Sequence, residues 1–280
     1  MRTLTFTACG CFFQIGCPDD ETATLIDAAF SGLLAQGGAS ISPVASYRVE
    51  RAAAPNAYRV HSADGSAAFV DDAGGLVFHL DKAVTLALQR QRADLYFVHA
   101  AAVARGDWVG VLSAPPQTGK STLTLALLER GFVYLSDELA PIDADRLLVH
   151  PYAHAVCLKS HPPEPVRMPA GAVRMGTRFH VPCEAFAGGI ADGPRPLSAF
   201  IFLRRSSPAS APALRRIGAA AGAARLMANA LNALAHPNGG LDVAASLAQR
   251  APCFEVDTHD LAAACARIEE ISRDTSRTAQ

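Results

Sequence analysis

Residues 108–122 read WVGVLSAPPQTGKST, and this stretch indicates the fold more strongly than any other part of the chain. It opens with an apolar run typical of a buried strand, continues through a loop with two adjacent prolines, and ends in Gly-Lys-Ser-Thr at 119–122. Leu123 and Leu127 then share one face at helical spacing. This order of strand, loop and helix is the setting that a phosphate-binding loop requires.

The residue types in this loop predict a nucleoside triphosphate as its ligand. Gly119 allows the backbone to approach a ligand closely, and the free N–H groups at a helix start attract an anion. Lys120 would reach the terminal phosphates, and the Ser121 hydroxyl would join phosphate and water oxygens around Mg²⁺. The residues that we expect to hold the nucleotide are Pro116, Gln117, Thr118, Gly119, Lys120, Ser121 and Thr122.

One position departs from the usual pattern of such loops. Ala114 stands where the first glycine is usual, and two prolines follow it. Because alanine does not easily adopt a positive φ, the start of the loop is expected to differ from the standard one. The alternative interpretation is an ordinary strand-to-helix turn that contains Gly-Lys-Ser by chance.

The composition argues against several classes of protein. Of the 280 residues, 50% are hydrophobic and 18% are charged, which is typical of a globular chain. A net charge of −1 provides no general attraction to nucleic acid or to an anionic membrane. The N-terminal region does not resemble a signal peptide, and an odd number of cysteines, 7, favours reduced thiols. We therefore predict a cytoplasmic protein with neither a nucleic-acid nor a membrane partner.

Hydrophobic patterning divides the chain into two parts. Residues 1–94 predict a small α+β domain in which no catalytic constellation is visible. The elements predicted there are a strand over 4–15, a helix over 20–34, strands over 44–49, 57–61 and 76–80, and a helix that starts at the N-cap Asp81.

From residue 95 onward, strands alternate with helices, so we predict an α/β domain over 95–280. A tight hairpin is expected where Arg-Gly-Asp at 105–107 separates a strand over 96–103 from a strand over 108–113. Residues 219–272 are predicted to be mainly helical, with Asp257 or Thr258 capping the last helix.

Residues with matching chemistry occur at three places in this second part. His99 lies on a strand shortly before the loop, Lys120 and Ser121 close the loop, and Asp137-Glu138 ends the next buried strand. Ligands of open α/β sheets bind beyond the carboxyl ends of the strands, so the acidic pair should face the loop. Phosphoryl transfer needs charge neutralisation and a carboxylate near the nucleophile. Ser121 with one carboxylate could hold Mg²⁺, while the other carboxylate accepts a hydroxyl proton.

Each of these residues also has a plainer interpretation. A histidine on a strand is often a satisfied core residue, and an acidic pair can simply cap a turn. Arg204, at the end of the strand predicted over 197–203, either neutralises phosphate charge or ends that strand in solvent.

Three motifs of the second part occur together at a specific spacing: FVHA at 97–100, the Gly-Lys-Ser loop, and YLSDE at 134–138, with Glu-Arg-Gly at the end of the loop helix. This combination resembles the HPr kinase/phosphorylase family and its diverged relatives, which include kinases that modify lasso-peptide precursors. The resemblance implies an α/β fold with a P-loop kinase core of the HPr kinase and PEP carboxykinase type, beside a smaller N-terminal α+β domain.

The same resemblance implies the chemistry. ATP and Mg²⁺ would be the cofactors, and the acceptor would be a serine hydroxyl of a peptide or small protein, most specifically a lasso-peptide precursor. Asp137 would be the general base beside the catalytic Lys120. Ser121, Asp137 and Glu138 are the candidate metal ligands, and His99 would orient the phosphate or the base. Family members are often oligomeric, which leaves a homo-oligomer open.

The sequence also departs from the family. A second acidic signature, a Glu before an Arg-Gly-Leu-Gly run, has no clear counterpart here, so the resemblance does not extend to HPr as acceptor or to phosphorolysis. Two other functions therefore stay open. One is a nucleotide-gated binding protein that presents a partner without modifying it, and the other is a small-molecule kinase.

Overall fold

The computed structural model describes residues 2–35, 42–206 and 213–278, which form a mixed α/β structure. The strands in chain order are β1 (Arg2–Ala8), β2 (Cys11–Cys17), β3 (Ala45–Arg51), β4 (Tyr58–Ser62), β5 (Ala67–Val70), β6 (Tyr96–Val98), β7 (Ala100–Arg105), β8 (Trp108–Ser113), β9 (Val133–Ser136), β10 (Ala140–Asp143), β11 (Leu148–Val149), β12 (Val156–Leu158), β13 (Val173–Met175), β14 (Arg178–Val181), β15 (Arg195–Pro196), β16 (Ala199–Arg204), β17 (Leu214–Ile217) and β18 (Cys253–Asp257). The helices are α1 (Asp20–Phe30), α2 (Ala73–Gln91), α3 (Lys120–Glu129), α4 (Ala219–Ala228), α5 (Leu241–Arg250) and α6 (Leu261–Thr278). Across these described ranges, no helix has both the length and the apolar character needed to cross a bilayer.

The chain forms two compact units whose boundaries differ from the predicted ones at 94/95. The first unit consists of Met1–Arg92 and His154–Ala185, and the second consists of Ala93–Ala153 and Phe186–Gln280. The later segment of the first unit contains β12, β14 and β13, which form a small antiparallel sheet. Hydrophobic patterning does not reveal this return of the chain, because it depends on long-range contacts such as the hydrogen bond from Ala155 N to Ala29 O (2.8 Å).

The first unit is built on a five-stranded sheet with the order β1-β2-β3-β4-β5. Neighbouring strands are antiparallel except β2 and β3, which are parallel. The single strand predicted over 4–15 is a hairpin instead. Cys9 (φ 49°) and Gly10 (φ 76°) both take left-handed backbone conformations, and this turn separates β1 from β2.

Residues 76–80, predicted to be a strand, lie inside α2. The helix starts earlier than predicted, because the side chain of Asp72 accepts a hydrogen bond from Gly75 N (2.6 Å) and is the N-cap. Asp81 is therefore an interior residue of the helix and caps nothing. The buried side chains of α2 recur at helical spacing, and they are Leu76, Val77, Leu80, Val84 and Leu88.

A buried histidine of the first unit gives a testable pH dependence. His180 lies on β14 and is 8% exposed, and burial, together with the charges of His154 and Arg178, lowers its pKa to about 4. The unfolded ring titrates near pH 6.5, so the unfolded chain binds more protons than the folded chain between these values. Stability contributed by His180 is therefore present above pH 6.5 and lost as the pH falls toward 4.

We expect acidification from pH 7 to pH 4 to reduce the free energy of unfolding by on the order of 3 kcal/mol through protonation of His180. Urea denaturation of the wild type and of His180→Gln across this pH range measures the free energy of unfolding. The difference between the two proteins separates the contribution of His180 from that of the carboxylates. The variant should lose less stability on acidification than the wild type. Identical pH profiles for the two proteins would contradict this assignment.

The second unit contains a six-stranded sheet with the order β17-β18-β16-β8-β7-β9. Strand β16 is parallel to both β8 and β18, and β7 is antiparallel to both β8 and β9. Strand β9 therefore runs in the same direction as β8. As a consequence, the carboxyl ends of β8, β9, β16 and β18 all lie at one edge of the sheet, where ligands bind in α/β proteins.

Close packing fixes strand β8, which leads into the loop. Trp108 is 1% exposed, and its indole packs edge-on against Phe132 with 6.2 Å between ring centroids. The same indole lies over Gly110, where an added Cβ would come within 2.2 Å of a ring carbon. Only glycine therefore fits at position 110 while the tryptophan keeps this place. The hairpin expected at 105–107 is present between β7 and β8.

The C-terminal region contains a strand that the sequence does not predict. Strand β18 interrupts the helical region expected over 219–272, and it pairs with both β16 and β17. Asp257 and Thr258 therefore do not cap the last helix. That role belongs to Asp260, whose Oδ1 accepts a hydrogen bond from Ala263 N (3.0 Å).

Candidate functional site

The loop between β8 and α3 is closed by hydrogen bonds to a single carbonyl group. The Pro115 carbonyl accepts from Thr118 N (3.3 Å) and from Thr118 Oγ1 (2.7 Å). Left-handed backbone occurs at Gln117 (φ 67°) and Gly119 (φ 94°), whereas Ala114 is not among the positive-φ residues. The alanine thus fits without strain, and the loop takes its unusual backbone angles further along.

Helix α3 begins directly after this loop. Its first intrahelical hydrogen bond runs from Leu123 N to Gly119 O (2.9 Å), so the amides before Leu123 have no acceptor within the helix. Their partial positive charge, added to the helix dipole, favours an anion at this position. Ser121 and Thr122 are half-buried here, whereas Pro116 and Gln117 are exposed.

Lys120 and Asp137 form a buried ion pair at the mouth of the loop. The lysine side chain is 9% exposed and the aspartate side chain 0%. Lys120 Nζ donates to the backbone carbonyl of Asp137 and lies 3.1 Å from its Oδ1. Thr124 Oγ1, one helical turn after the lysine, lies 2.9 Å from Lys120 O and 3.2 Å from the same Oδ1. Because the hydroxyl has one proton and Lys120 O is the nearer acceptor, the orientation of the carboxylate is fixed mainly by Lys120 Nζ.

The second carboxylate oxygen of Asp137 is different. Within the described ranges, Oδ2 is buried and has no hydrogen-bond partner. Leaving a buried acceptor unsatisfied costs about 1–3 kcal/mol, so such an atom is a candidate for contact with a ligand. A hard cation such as Mg²⁺ or a substrate hydroxyl would satisfy it. The oxygen donors of Ser121, Asp137 and Glu138 are of the kind that Mg²⁺ prefers.

His99 and Glu138 also lie next to each other. His99 Nδ1 is 3.0 Å from the Glu138 carbonyl oxygen and 3.5 Å from its carboxylate Oε2. Because a carbonyl only accepts, Nδ1 carries the proton in this contact, and Nε2 of the neutral ring is an acceptor. The imidazole is 39% exposed, so it is not a core residue.

His99 interrupts the strand that the sequence predicts over 96–103. It lies between β6, which pairs with β10, and β7, which belongs to the six-stranded sheet. The backbone is held there by a hydrogen bond from His99 N to Asn229 O (2.8 Å). This change of sheet places the histidine beside the acidic pair.

Arg204 is held by two carboxylates of β18. Its Nε lies 3.2 Å from Glu255 Oε1, and its Nη2 lies 3.5 Å from Asp257 Oδ2. Burial by itself would raise the pKa of Asp257, but hydrogen bonds from Ser206 and His259 hold that pKa below its ordinary value. The guanidinium is 47% exposed. The structure thus places Arg204 at the predicted edge of the sheet, in contact with carboxylates.

Sequence reasoning missed three polar residues at this edge. Thr124 lies four positions after Lys120, so helical spacing could have placed the two on one face. Asp257 and Thr258 carried no such signal, because the strand that ends at Asp257 was not predicted. Thr258 Oγ1 lies 3.0 Å from the carbonyl oxygen of Thr118 in the loop.

Comparisons with known proteins identify no family for this chain. No protein-family model matches the sequence, and no curated protein matches it. A solved structure of the Hpr(Ser) kinase/phosphatase from Coxiella burnetii is similar with a TM-score of 0.36 and 14% identity, over 65% of this chain and 97% of that chain. At this level of similarity the likeness decides neither the fold nor the activity.

Proposed function

We propose that this chain is an ATP-dependent kinase that phosphorylates a serine hydroxyl of a peptide or small protein. The observation that carries the proposal is the buried Lys120–Asp137 pair beside a Gly-Lys-Ser loop. One oxygen of this carboxylate is held by Lys120 Nζ, and the other has no hydrogen-bond partner in the described part of the chain. A carboxylate oriented in this way, next to an anion-binding helix start, suits proton abstraction during phosphoryl transfer.

The loop and the first turn of α3 would hold the nucleotide phosphates. Their backbone amides bind the phosphate oxygens, and Lys120 Nζ moves from Asp137 to the terminal phosphate group when the nucleotide arrives. Ser121 and Glu138 would hold Mg²⁺, which leaves Oδ2 of Asp137 to accept the serine proton. The ion supplies neutralisation of the phosphate charge. Arg204, which is 47% exposed beside Glu255 and Asp257, would be a further hydrogen-bond donor to the phosphates at the same edge.

Asp137 would act as the general base. It takes the proton from the acceptor serine as the bond between serine Oγ and the γ-phosphorus forms. The bond between that phosphorus and the β,γ-bridging oxygen breaks, so that ADP leaves with the electron pair. His99, held through Nδ1 by the Glu138 carbonyl, presents Nε2 as an acceptor that orients the serine hydroxyl or the base.

A peptide or protein acceptor is favoured over a small molecule because two residues beside the buried Asp137 are accessible. His99 and Glu138 are 39% and 35% exposed, so a chain segment can reach them. Among peptides, a lasso-peptide precursor is the most specific candidate that the sequence resemblance offers.

The experiment incubates the full chain with radiolabelled ATP, Mg²⁺ and the peptides encoded beside its gene. We expect one phosphoryl group on a serine of one peptide, located by mass spectrometry, and no transfer when EDTA is present. Tight ATP binding without transfer to any peptide would favour the nucleotide-gated binding protein. Equal transfer to free serine-like alcohols would favour the small-molecule kinase.

A further inference from the structure

The residue after strand β18, Thr258, contacts the loop between β8 and α3 through its hydroxyl group. Thr258 Oγ1 lies 3.0 Å from Thr118 O in the loop and 3.1 Å from Arg204 O at the end of β16. The Arg204 carbonyl already accepts a hydrogen bond from Thr258 N (2.9 Å). The hydroxyl has a single proton to donate, and the Thr118 carbonyl, at the shorter distance, is the better acceptor for it.

Thr258 is itself fixed by its neighbours. The buried Asp257 carboxylate accepts at Oδ1 from His259 N (3.0 Å), from the His259 ring Nδ1 (2.9 Å) and from Ser206 N (3.3 Å). These bonds hold the turn after β18, and with it Thr258, against the sheet edge. The backbone that carries the Thr258 hydroxyl is therefore held in place next to the loop.

The loop needs such an anchor because of the glycine that follows Thr118. Gly119 has φ 94°, and a Cβ at this position would meet nothing within 4 Å. A glycine in open space has several accessible backbone conformations, so the Thr118–Gly119 peptide plane can rotate. In a trans peptide the N–H points opposite to the C=O. Fixing the Thr118 carbonyl toward Thr258 thus directs the Gly119 N–H to the other side of the loop.

We propose that Thr258 is a positioning residue for phosphate binding, because its hydroxyl holds the Thr118–Gly119 peptide in the orientation that keeps the Gly119 N–H available to the ligand. This inference rests on the proposed function, since it concerns the same loop. Without the hydroxyl the peptide samples both orientations, and the phosphates must select one of them at a cost in affinity. The adenine moiety has no part in the effect.

The test compares Thr258→Val, which removes the hydroxyl at nearly constant volume, with Thr258→Ser, which retains it. Calorimetric titration of the full chain with MgATP and with inorganic tripolyphosphate measures the two affinities. We expect Thr258→Val to bind both ligands about tenfold more weakly and Thr258→Ser to stay within about twofold of the wild type. In a transfer assay, Thr258→Val should raise KM by a similar factor with little change in kcat.

Thr24→Val is the matched control, because it removes a threonine hydroxyl that donates to Asp20 O (2.8 Å) in α1, a helix of the first unit that contributes no residue to the candidate site. Its affinities should equal those of the wild type. If Thr258→Val does not fold, Thr258→Ala replaces it and must show the same loss for both ligands.

The failures are distinguishable. A wild type that binds neither ligand would overturn the proposed function. If the wild type binds both ligands and Thr258→Val binds them as tightly as the wild type, only the role of Thr258 is overturned. The same follows if Thr258→Ser binds them as weakly as Thr258→Val.

Discussion

Asp137→Asn is expected to lower the rate of phosphoryl transfer by a factor on the order of 10² to 10⁴, the usual contribution of a general base. Asparagine retains a carbonyl oxygen that accepts from Lys120 Nζ, so the loop and the start of α3 keep their places. What is lost is the basic carboxylate that receives the serine proton. ATP should therefore still bind while the chemical step fails.

Single-turnover transfer from radiolabelled ATP measures the chemical step, and calorimetry measures nucleotide binding. Asp143→Asn is the matched control, because Asp143 at the end of β10 contacts Arg146, through the backbone N (2.9 Å) and through Nε (3.9 Å), and has no role in the proposed mechanism. This control should transfer phosphate at the wild-type rate. Full activity in Asp137→Asn would remove the base assignment.

Lys120→Met is expected to reduce the free energy of unfolding by about 3–5 kcal/mol, because it leaves the fully buried Asp137 carboxylate without its counter-charge. The double variant Lys120→Met/Asp137→Asn should be clearly more stable than the single one, since it buries no unpaired charge. Affinity for MgATP should fall about 10- to 100-fold in both variants, as the charge-assisted contact to phosphate is lost.

Urea denaturation gives the stabilities, with exposed Lys82→Met in α2 as the control for loss of a lysine charge. That control should change stability by less than about 0.5 kcal/mol. Equal stability of Lys120→Met and the wild type would show that the pair is not buried as described. If Lys120→Met/Asp137→Asn is no more stable than Lys120→Met, the loss of stability is not caused by the unpaired Asp137 carboxylate.

The elements nearest the candidate site were predictable because they depend on local patterns. The hairpin at 105–107, strand β8, the loop and helix α3 follow one another in the chain, and glycines, prolines and apolar periodicity mark each boundary. Strand β9, which ends just before Asp137, was recognisable by its apolar run. The prediction that Asp137 faces the loop then followed from the general geometry of α/β sheets.

Other predictions of secondary structure were wrong for a common reason. Residues 76–80 are apolar enough for a strand, and the N-cap Asp72 that makes them helical lies outside the window. Strand β18 is rich in residues compatible with either structure, and its pairing with β16 and β17 makes it a strand. Apolar periodicity over a few residues cannot distinguish these cases, because partners distant in the sequence decide them.

The sequence by itself determined that a Gly-Lys-Ser loop lies between a buried strand and a helix, since backbone conformation and local spacing fix that arrangement. Only the tertiary structure decided what surrounds the loop. The contact of Lys120 with Asp137, the placement of His99 between two sheets, and the bond from Thr258 to Thr118 join residues far apart in the chain. Strand order and direction bring these residues to one edge, and pairing between distant strands is not encoded in any short segment.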